Sequence, residues 1–244
     1  MPLKLEDLNW MEFKELVPEK IDTVILPVGT IEAHGVTNLG TDVSIPVFIG
    51  EKIADDLKAI LAPPIYYGIT RTLYSYPGSL TVSSPVFESY LTEIMFSLAD
   101  KGFSRILVIN GHGGHIDELR DAAMKTHRDK NAKVAVIHWW ILCEELTKKF
   151  FGETGGHAGL DENAAVLAID RDLVKKRRYK KDMAYQHKSG VYSLPGPGSI
   201  IINKKGEGYP NFDEKKAKAY MNKVVKKIKD DISEIFERWE QMKL

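Results

Sequence analysis

Three short apolar runs constrain this chain more than any other feature: DTVILPVG (22–29), SRILVIN (104–110) and AKVAVIH (132–138). Each is brief and rich in β-branched residues, and the first two are bounded by polar or Gly-containing segments, so each predicts a buried strand. Between and after them lie stretches whose apolar residues recur at helical spacing. Strands that alternate with helices need crossover connections. The pattern therefore predicts an α/β fold with a mostly parallel sheet covered by helices on both faces.

The helical stretches can be placed individually. VFIGEKIADDLKAIL carries Ile49, Ile53, Leu57 and Ile60 at helical spacing, and LAPPIYYG after it reads as extended. Ser84 is suited to cap the next helix and Pro85 to its first turn, where no amide is needed. Val86, Tyr90, Ile94 and Leu98 then predict an apolar stripe, closed by Gly102. HIDELRDAAMKTHRDK predicts a helix after the second strand, and another is expected from about Ile141 to Phe151. From Asp213 to Lys243 the chain is highly charged yet keeps Val224, Val225, Ile228, Ile232 and Ile235 in helical register, as a long helix packed on the outside would. SGVYSLPGPGSIIINKKGEGYPN (189–211), rich in Gly and Pro, predicts a long ordered loop. No linker or repeat divides the chain, so one domain is expected over residues 1–244.

Composition removes several function classes. Lys plus Arg and Asp plus Glu each number 34, so bulk electrostatics do not favour a nucleic-acid partner. The single cysteine, Cys143, can form neither an internal disulfide nor a Cys-based zinc site, which points to a reducing, cytoplasmic setting. MPLKLEDLNWMEFKELV is interrupted by charges and does not read as a signal sequence, and no apolar run is long enough to span a bilayer. H-E-x-x-H, G-x-x-x-x-G-K-[ST] and G-x-S-x-G are all absent. That argues against a helix-based zinc peptidase, a P-loop nucleotidase and the usual serine hydrolase.

The chemistry gathers in the loops. GTIEAHGVTNLGTD (29–42) leaves the first strand and holds Glu32, His34 and Asp42; NGHGGH (110–115) leaves the second and holds His112; GETGGHAGLDEN (152–163) adds Glu153, His157, Asp161 and Glu162. Ligands of open α/β sheets bind beyond the carboxyl ends of the strands, so the first two loops can converge. A cation would explain why carboxylates cluster there, by offsetting their repulsion and desolvation. Oxygen and nitrogen ligands without thiolate suit zinc, manganese or iron(II). Alone, Glu32 or Asp42 could cap a turn, and His34 or His112 could be a core histidine. Taken together, on loops remote in sequence, they predict a metal site.

LPVGTIEAHG…GTD, YPGSL, GFSRILVINGHGG and GGHAGLDEN follow one another as the marker segments of the creatininase (creatinine amidohydrolase) family do, so residues 20–170 resemble that family. The resemblance implies a metal-dependent hydrolase with a three-layer α/β/α sandwich, assembled as a homo-oligomer, in many members a hexamer. It also implies two divalent ions per chain. Glu32, Asp42 and His112 match the ligands of one; His34 and the bridging Asp42 match those of the other. Where creatininase has a carboxylate two residues after the histidine matching His112, this chain has Gly114, and Glu162 is the expected replacement. His115 and Asn163 stand where relatives have Asn and Thr, VTNLG is shorter than the matching segment and lacks its histidine, and the late loop lacks a Gly-Asp-Pro segment.

The implied reaction is attack of a metal-activated hydroxide on a carbonyl, with His157 expected as the acid that protonates a leaving amine. Asn38, His115, Trp139 and Trp140 are the expected substrate contacts. His115 could instead be a surface histidine, and the tryptophans could be core. Glu153 and Asp161 are expected either to orient ligands or to be solvated loop carboxylates. The substrate is expected to be a small molecule: a cyclic amide, a formamide on a nucleotide precursor, or a cyclic polyol diketone cleaved at a C–C bond. KKRRYKK (175–181) could serve the phosphate of the second. From another class, the chain could be a non-catalytic scaffold that kept the fold, which metal content would discriminate.

Overall fold

The computed structural model describes residues 2–243. In chain order its helices and strands are α1 (Trp10–Leu16), β1 (Thr23–Val28), α2 (Thr41–Ile53), β2 (Ala59–Leu61), α3 (Ser84–Asp100), β3 (Arg105–Asn110), α4 (Ile116–Lys130), β4 (Lys133–His138), α5 (Trp139–Leu142), α6 (Glu144–Phe151), β5 (Gly156–His157), α7 (Leu160–Ile169), β6 (Ala184–Gln186), β7 (Ile200–Ile202) and α8 (Glu214–Gln241). The central sheet has the order β2-β1-β3-β4 and every pairing in it is parallel. From β1 the chain moves outward to β2, then returns past β1 to β3. The order therefore reverses between β1 and β3, and their carboxyl ends frame the crevice where open sheets bind ligands.

Residues on the inner strands alternate between two cores. Val24, Leu26, Val28, Ile106 and Val108 pack with Phe87, Leu91 and Met95 of α3 and with Leu119 of α4. Ile25, Leu107 and Ile109 pack on the opposite face with α2, α7 and α8. Both faces are apolar, as a parallel sheet between two helical layers requires, giving the three-layer α/β/α sandwich. No helix among the described residues is long and apolar enough to cross a membrane.

Several expected elements shift. The stripe of α3 is Phe87, Leu91, Met95 and Leu98, while Val86 and Tyr90 are exposed. Val86 and Tyr90 each precede a buried residue, Phe87 and Leu91, by one position, which turns them about 100° around the helix and away from the core. Ser84 is not the cap; its hydroxyl bonds to Glu118, and Ser83 occupies the cap position. α2 begins at Thr41, well before the expected start at Val47, and runs through Pro46. Leu57 lies in a turn after it and Ile60 in β2. α8 matches expectation and buries Ala217, Tyr220, Met221, Val224, Ile228, Ile232 and Phe236 along one side. Val225 and Ile235 sit at the edge of that side, partly buried.

The late loop is ordered, and Ile200–Ile202 within it form strand β7, where the Gly- and Pro-rich sequence predicts only loop. β7 pairs antiparallel with β5 and parallel with β6 to make a second, three-stranded sheet. In its register His157 lies opposite Ile201, so this small sheet holds the histidine loop over the carboxyl ends of the main one.

Candidate metal centre

Asp42 occupies the first turn of α2, where the helix dipole favours negative charge. Pro46, four residues on, has no amide to offer the Asp42 carbonyl. That carbonyl instead faces the strand-end glycines. A Cβ on Gly111 would lie 2.0 Å from the Asp42 oxygen and 2.8 Å from Pro46 Cγ. Only glycine lets α2 close onto the end of β3, and that closure sets Asp42 between the two histidines at the crevice.

His34 Nε2 lies 2.8 Å from Asp42 Oδ1 and 3.7 Å from Glu162 Oε2. His112 Nδ1 lies 2.9 Å from Asp42 Oδ2 and 3.5 Å from Glu32 Oε2. His157 Nδ1 lies 3.7 Å from Glu32 Oε2, and its ring is 4.1 Å from that of His34. The ligand atoms fall into three overlapping triads: Glu32, Asp42 and His112; His34, Asp42 and Glu162; and Glu32, His34 and His157. Asp42 turns one oxygen toward each of the first two histidines, the disposition a bridging carboxylate needs.

The outer nitrogen of each imidazole decides what the inner one can do. His34 Nδ1 donates to the Glu32 carbonyl at 3.0 Å, His112 Nε2 to the Ile69 carbonyl at 2.8 Å, and His157 Nε2 to the Ala33 carbonyl at 2.9 Å. A carbonyl can only accept, so in each neutral ring the proton sits on the outer nitrogen and a bare lone pair faces the carboxylates. His34 Nε2 and Asp42 Oδ2 make no hydrogen bond despite their short contacts. These atoms aim at common points rather than at each other. Backbone-anchored imidazoles, converging carboxylates and orphaned buried atoms all fit a divalent metal.

Electrostatics without a cation point the same way. Burial opposes charge on His34 and His112, but Asp42 and its neighbouring carboxylates outweigh it, pushing His34 up to about 10 and His112 up to about 9. Burial also pushes Glu162 up to about 8, against the pull of His34. Asp42 is buried too, yet His34 and His112 hold it well below the usual carboxylate range. Protons borrowed by the histidines thus do the balancing that a cation would do.

The remaining expected site residues divide. Trp140 lines a cleft of about 470 Å³ that opens over Glu32, His112, His157 and Glu162. Trp139 does not; it is fully buried in the core on the α8 side of the sheet. Asn38 is also away from the cleft, bonded to Ser44 and receiving Thr41 in the turn before α2. His115 does not line the cleft and is not at the surface. It is fully buried against Phe87, and its Nε2 accepts the Ile69 amide at 3.0 Å. The carbonyl of that same residue accepts from His112, so His115 steadies the anchor of His112. Glu153 binds the Gly208 amide, and Asp161 accepts the Gly156 amide while lining the cleft. The basic run at 175–181 does not line it.

Gly114 cannot carry a carboxylate here. A Cβ would meet His112 Nε2 at 2.6 Å and the Ile69 carbonyl at 2.7 Å. Glu162 instead comes from the first turn of α7 with its Oε2 accepting the Ala158 amide at 2.6 Å, and Ala158 takes a left-handed φ of 52° beside His157. Sequence reasoning also missed Asn110. Its Oδ1 accepts the His112 amide and its Nδ2 donates to the His112 carbonyl, clamping that residue at both ends. Arg71, Thr72, Tyr192 and Asn203 line the cleft as well, from segments with no motif to mark them.

Several known proteins are similar to this chain. The chain is 26% identical over 187 residues to the creatinine amidohydrolase of Pseudomonas putida, covering 69% of this chain and 72% of that protein. It is 30% identical over 162 residues to the mycofactocin precursor peptide peptidase of Mycolicibacterium smegmatis, covering 63% of this chain and 60% of that enzyme's length. In three dimensions it superposes on a mutant creatininase of Zn-Zn type with a TM-score of 0.82 at 22% identity, over 97% of this chain and 99% of the other. A manganese creatininase superposes with a TM-score of 0.76 at 22% identity over the same shares. The creatininase family profile, described as creatinine amidohydrolase, matches residues 6–231, and the chain belongs to that family of metal-dependent amidohydrolases.

Proposed function

We propose that the chain binds two divalent ions and hydrolyses a C–N bond in a small amide. One observation carries the reading. Buried His34 and His112 and partly buried His157, each with its outer N–H fixed on a backbone carbonyl, turn bare nitrogens onto Glu32, Asp42 and Glu162. Glu32, Asp42 and His112 would hold one ion and His34, Asp42 and Glu162 the other, with His157 an additional ligand beside Glu32. Two such ions would lower the pKa of water and polarise a carbonyl oxygen, with zinc, manganese and iron(II) all compatible with the donors.

The protein's own groups divide the remaining work. His157 is a poor proton donor as placed: its Nε2–H is committed to Ala33, and burial, helped by the His34 charge, brings its pKa down to about 3. In this reading His157 is a metal ligand and not the general acid. Asp161 faces the cleft outside the ligand triads, and burial raises its pKa despite the Gly156 amide it accepts. In this reading Asp161 takes a proton from water and returns it to the leaving nitrogen. Ala158 and Glu162 share a hydrogen bond that fixes the loop between His157 and α7.

The test joins metal content to turnover. Purified protein reconstituted with zinc, manganese or iron(II) is assayed against small amides, formamides and cyclic diketones. About two ions per chain and amide turnover are expected. Full loading with C–C cleavage alone would replace the C–N reading, and no bound metal would leave the scaffold reading standing.

A further inference from the structure

We infer that the cleft selects amides carrying a free carboxylate, with the guanidinium of Arg71 as the anchor. This rests on the amide-hydrolase reading and narrows it. Arg71 is the only lysine or arginine among the residues lining the cleft, on the same wall as Thr72 and Leu73. Its side chain is about half exposed, at 52%, while that of its partner Glu118 is buried at 6%. Nη2 of Arg71 donates to Glu118 Oε1 at 3.1 Å, and Ser84 bonds to the same oxygen. Glu118 thus pins the guanidinium from the protein side. A guanidinium carries five N–H donors in a rigid fork, so most of its donors remain for a ligand.

The charge around Arg71 says which anion fits. Glu118 already offsets its charge, and Glu144 and Asp161 also line the cleft. A phosphate dianion would need more positive charge than one paired arginine supplies, and the basic segment at 175–181 does not reach the cleft. A carboxylate carries a single charge and matches the fork in shape, accepting two parallel N–H bonds. The segment that carries Arg71 also supplies the Ile69 carbonyl that holds His112. The proposed anchor and the metal ligands are therefore tied to one stretch of backbone, and the carboxylate of a bound amide would be registered against the reacting carbonyl.

The experiment compares small N-acyl amino acids with the matching N-acyl amino alcohols, in which CH2OH replaces the carboxylate and the scissile amide is unchanged. In the metal-loaded wild type, kcat/KM should favour the acids by about tenfold or more. Arg71→Ala should bring that ratio close to one, mainly by raising KM for the acids, with a much smaller effect on the alcohols and with the metal content retained. Arg71→Lys should keep part of the preference. Calorimetric titration of N-acetylglycine and N-acetylethanolamine into each loaded variant reads the same selectivity without turnover. Melting curves check that Arg71→Ala still folds, and Arg71→Gln and Arg71→Lys carry the test if it does not. Equal use of acids and alcohols by the wild type, or equal loss of both in Arg71→Ala, overturns the anchor while the hydrolase reading stands. Absence of turnover overturns the hydrolase reading, and the titration then still decides whether Arg71 binds carboxylate.

Discussion

The floor of the cleft and its rim differ in how they are held. Asp42 stands on a helix wedged against β3, His112 follows that strand and is clamped by Asn110, and Glu162 stands on α7. All three are buried. At the rim, Arg71, Thr72, Tyr192 and Asn203 belong to turns and irregular segments. Two of those segments clasp each other where Gly196 donates its amide to the Thr72 carbonyl and accepts from the Tyr76 hydroxyl. The floor is fixed by the geometry of the sheet, so it can be kept while the rim changes. On the proposed reading, chemistry belongs to the floor and choice of substrate to the rim.

The strongest test of that division is Asp42→Ala. If Asp42 bridges, the variant should lose both ions by elemental analysis and turn over no substrate above background. Retention of full metal would remove the bridging role. Next come two neighbours with different expected failures. Asp161→Asn should keep its metal and lose about a hundredfold to ten-thousandfold in kcat. His157→Ala should instead weaken metal binding by roughly tenfold to a hundredfold. A large kcat loss with full metal in His157→Ala, and none in Asp161→Asn, would reverse the assignment of the proton carrier.

A third test uses pH. In the metal-free protein His34 and His112 are raised to about 10 and about 9, and Glu162 to about 8, so the folded state binds more protons than the unfolded one. The stability they contribute is present at low pH. It is lost from about 4.5 to 8 for Glu162, and from about 6.5 to between 9 and 10 for the histidines. Metal binding requires these groups deprotonated and strengthens over the same range. The gap in melting temperature between loaded and chelated protein should therefore widen from pH 7 to pH 9. A constant gap would mean that the buried cluster does not hold the ions. The smallest effect is expected at the rim. Asn203→Ala, which removes a hydrogen bond to the Gly155 carbonyl at 3.3 Å, should shift KM by a few-fold with unchanged metal content. Loss of metal in that variant would erase the distinction between floor and rim.

The floor was legible in the sequence because its residues sit at fixed places relative to strands. DTVILPVG and SRILVIN announce where the chain leaves the sheet, and parallel pairing brings both exits to one edge. The gathering of Glu32, His34, Asp42 and His112 follows from that, whereas Glu162 is expected only from the resemblance to creatininase, which has a carboxylate where this chain has Gly114. The rim was not legible, because Arg71 and Asn203 carry no periodicity or motif, and β7 reads as part of a Gly- and Pro-rich loop.

By itself the sequence determined the alternation of strand and helix, the parallel sheet and the loops on which the candidate ligands stand. These depend on hydrophobic periodicity and on which residues can ligate, both local properties. Tertiary structure decided how those side chains face and what they do. Trp140 lines the cleft and its neighbour Trp139 fills the core because α5 turns them to different sides. The carbonyls of Glu32, Ile69 and Ala33 choose the tautomers of the three histidines, and Ala33 turns His157 from donor to acceptor. His115, two residues from the cleft-lining Gly113, is drawn inward by the Ile69 amide. A hydrogen bond to backbone from a distant segment depends on where the fold carries that segment, and no local pattern in the chain encodes it.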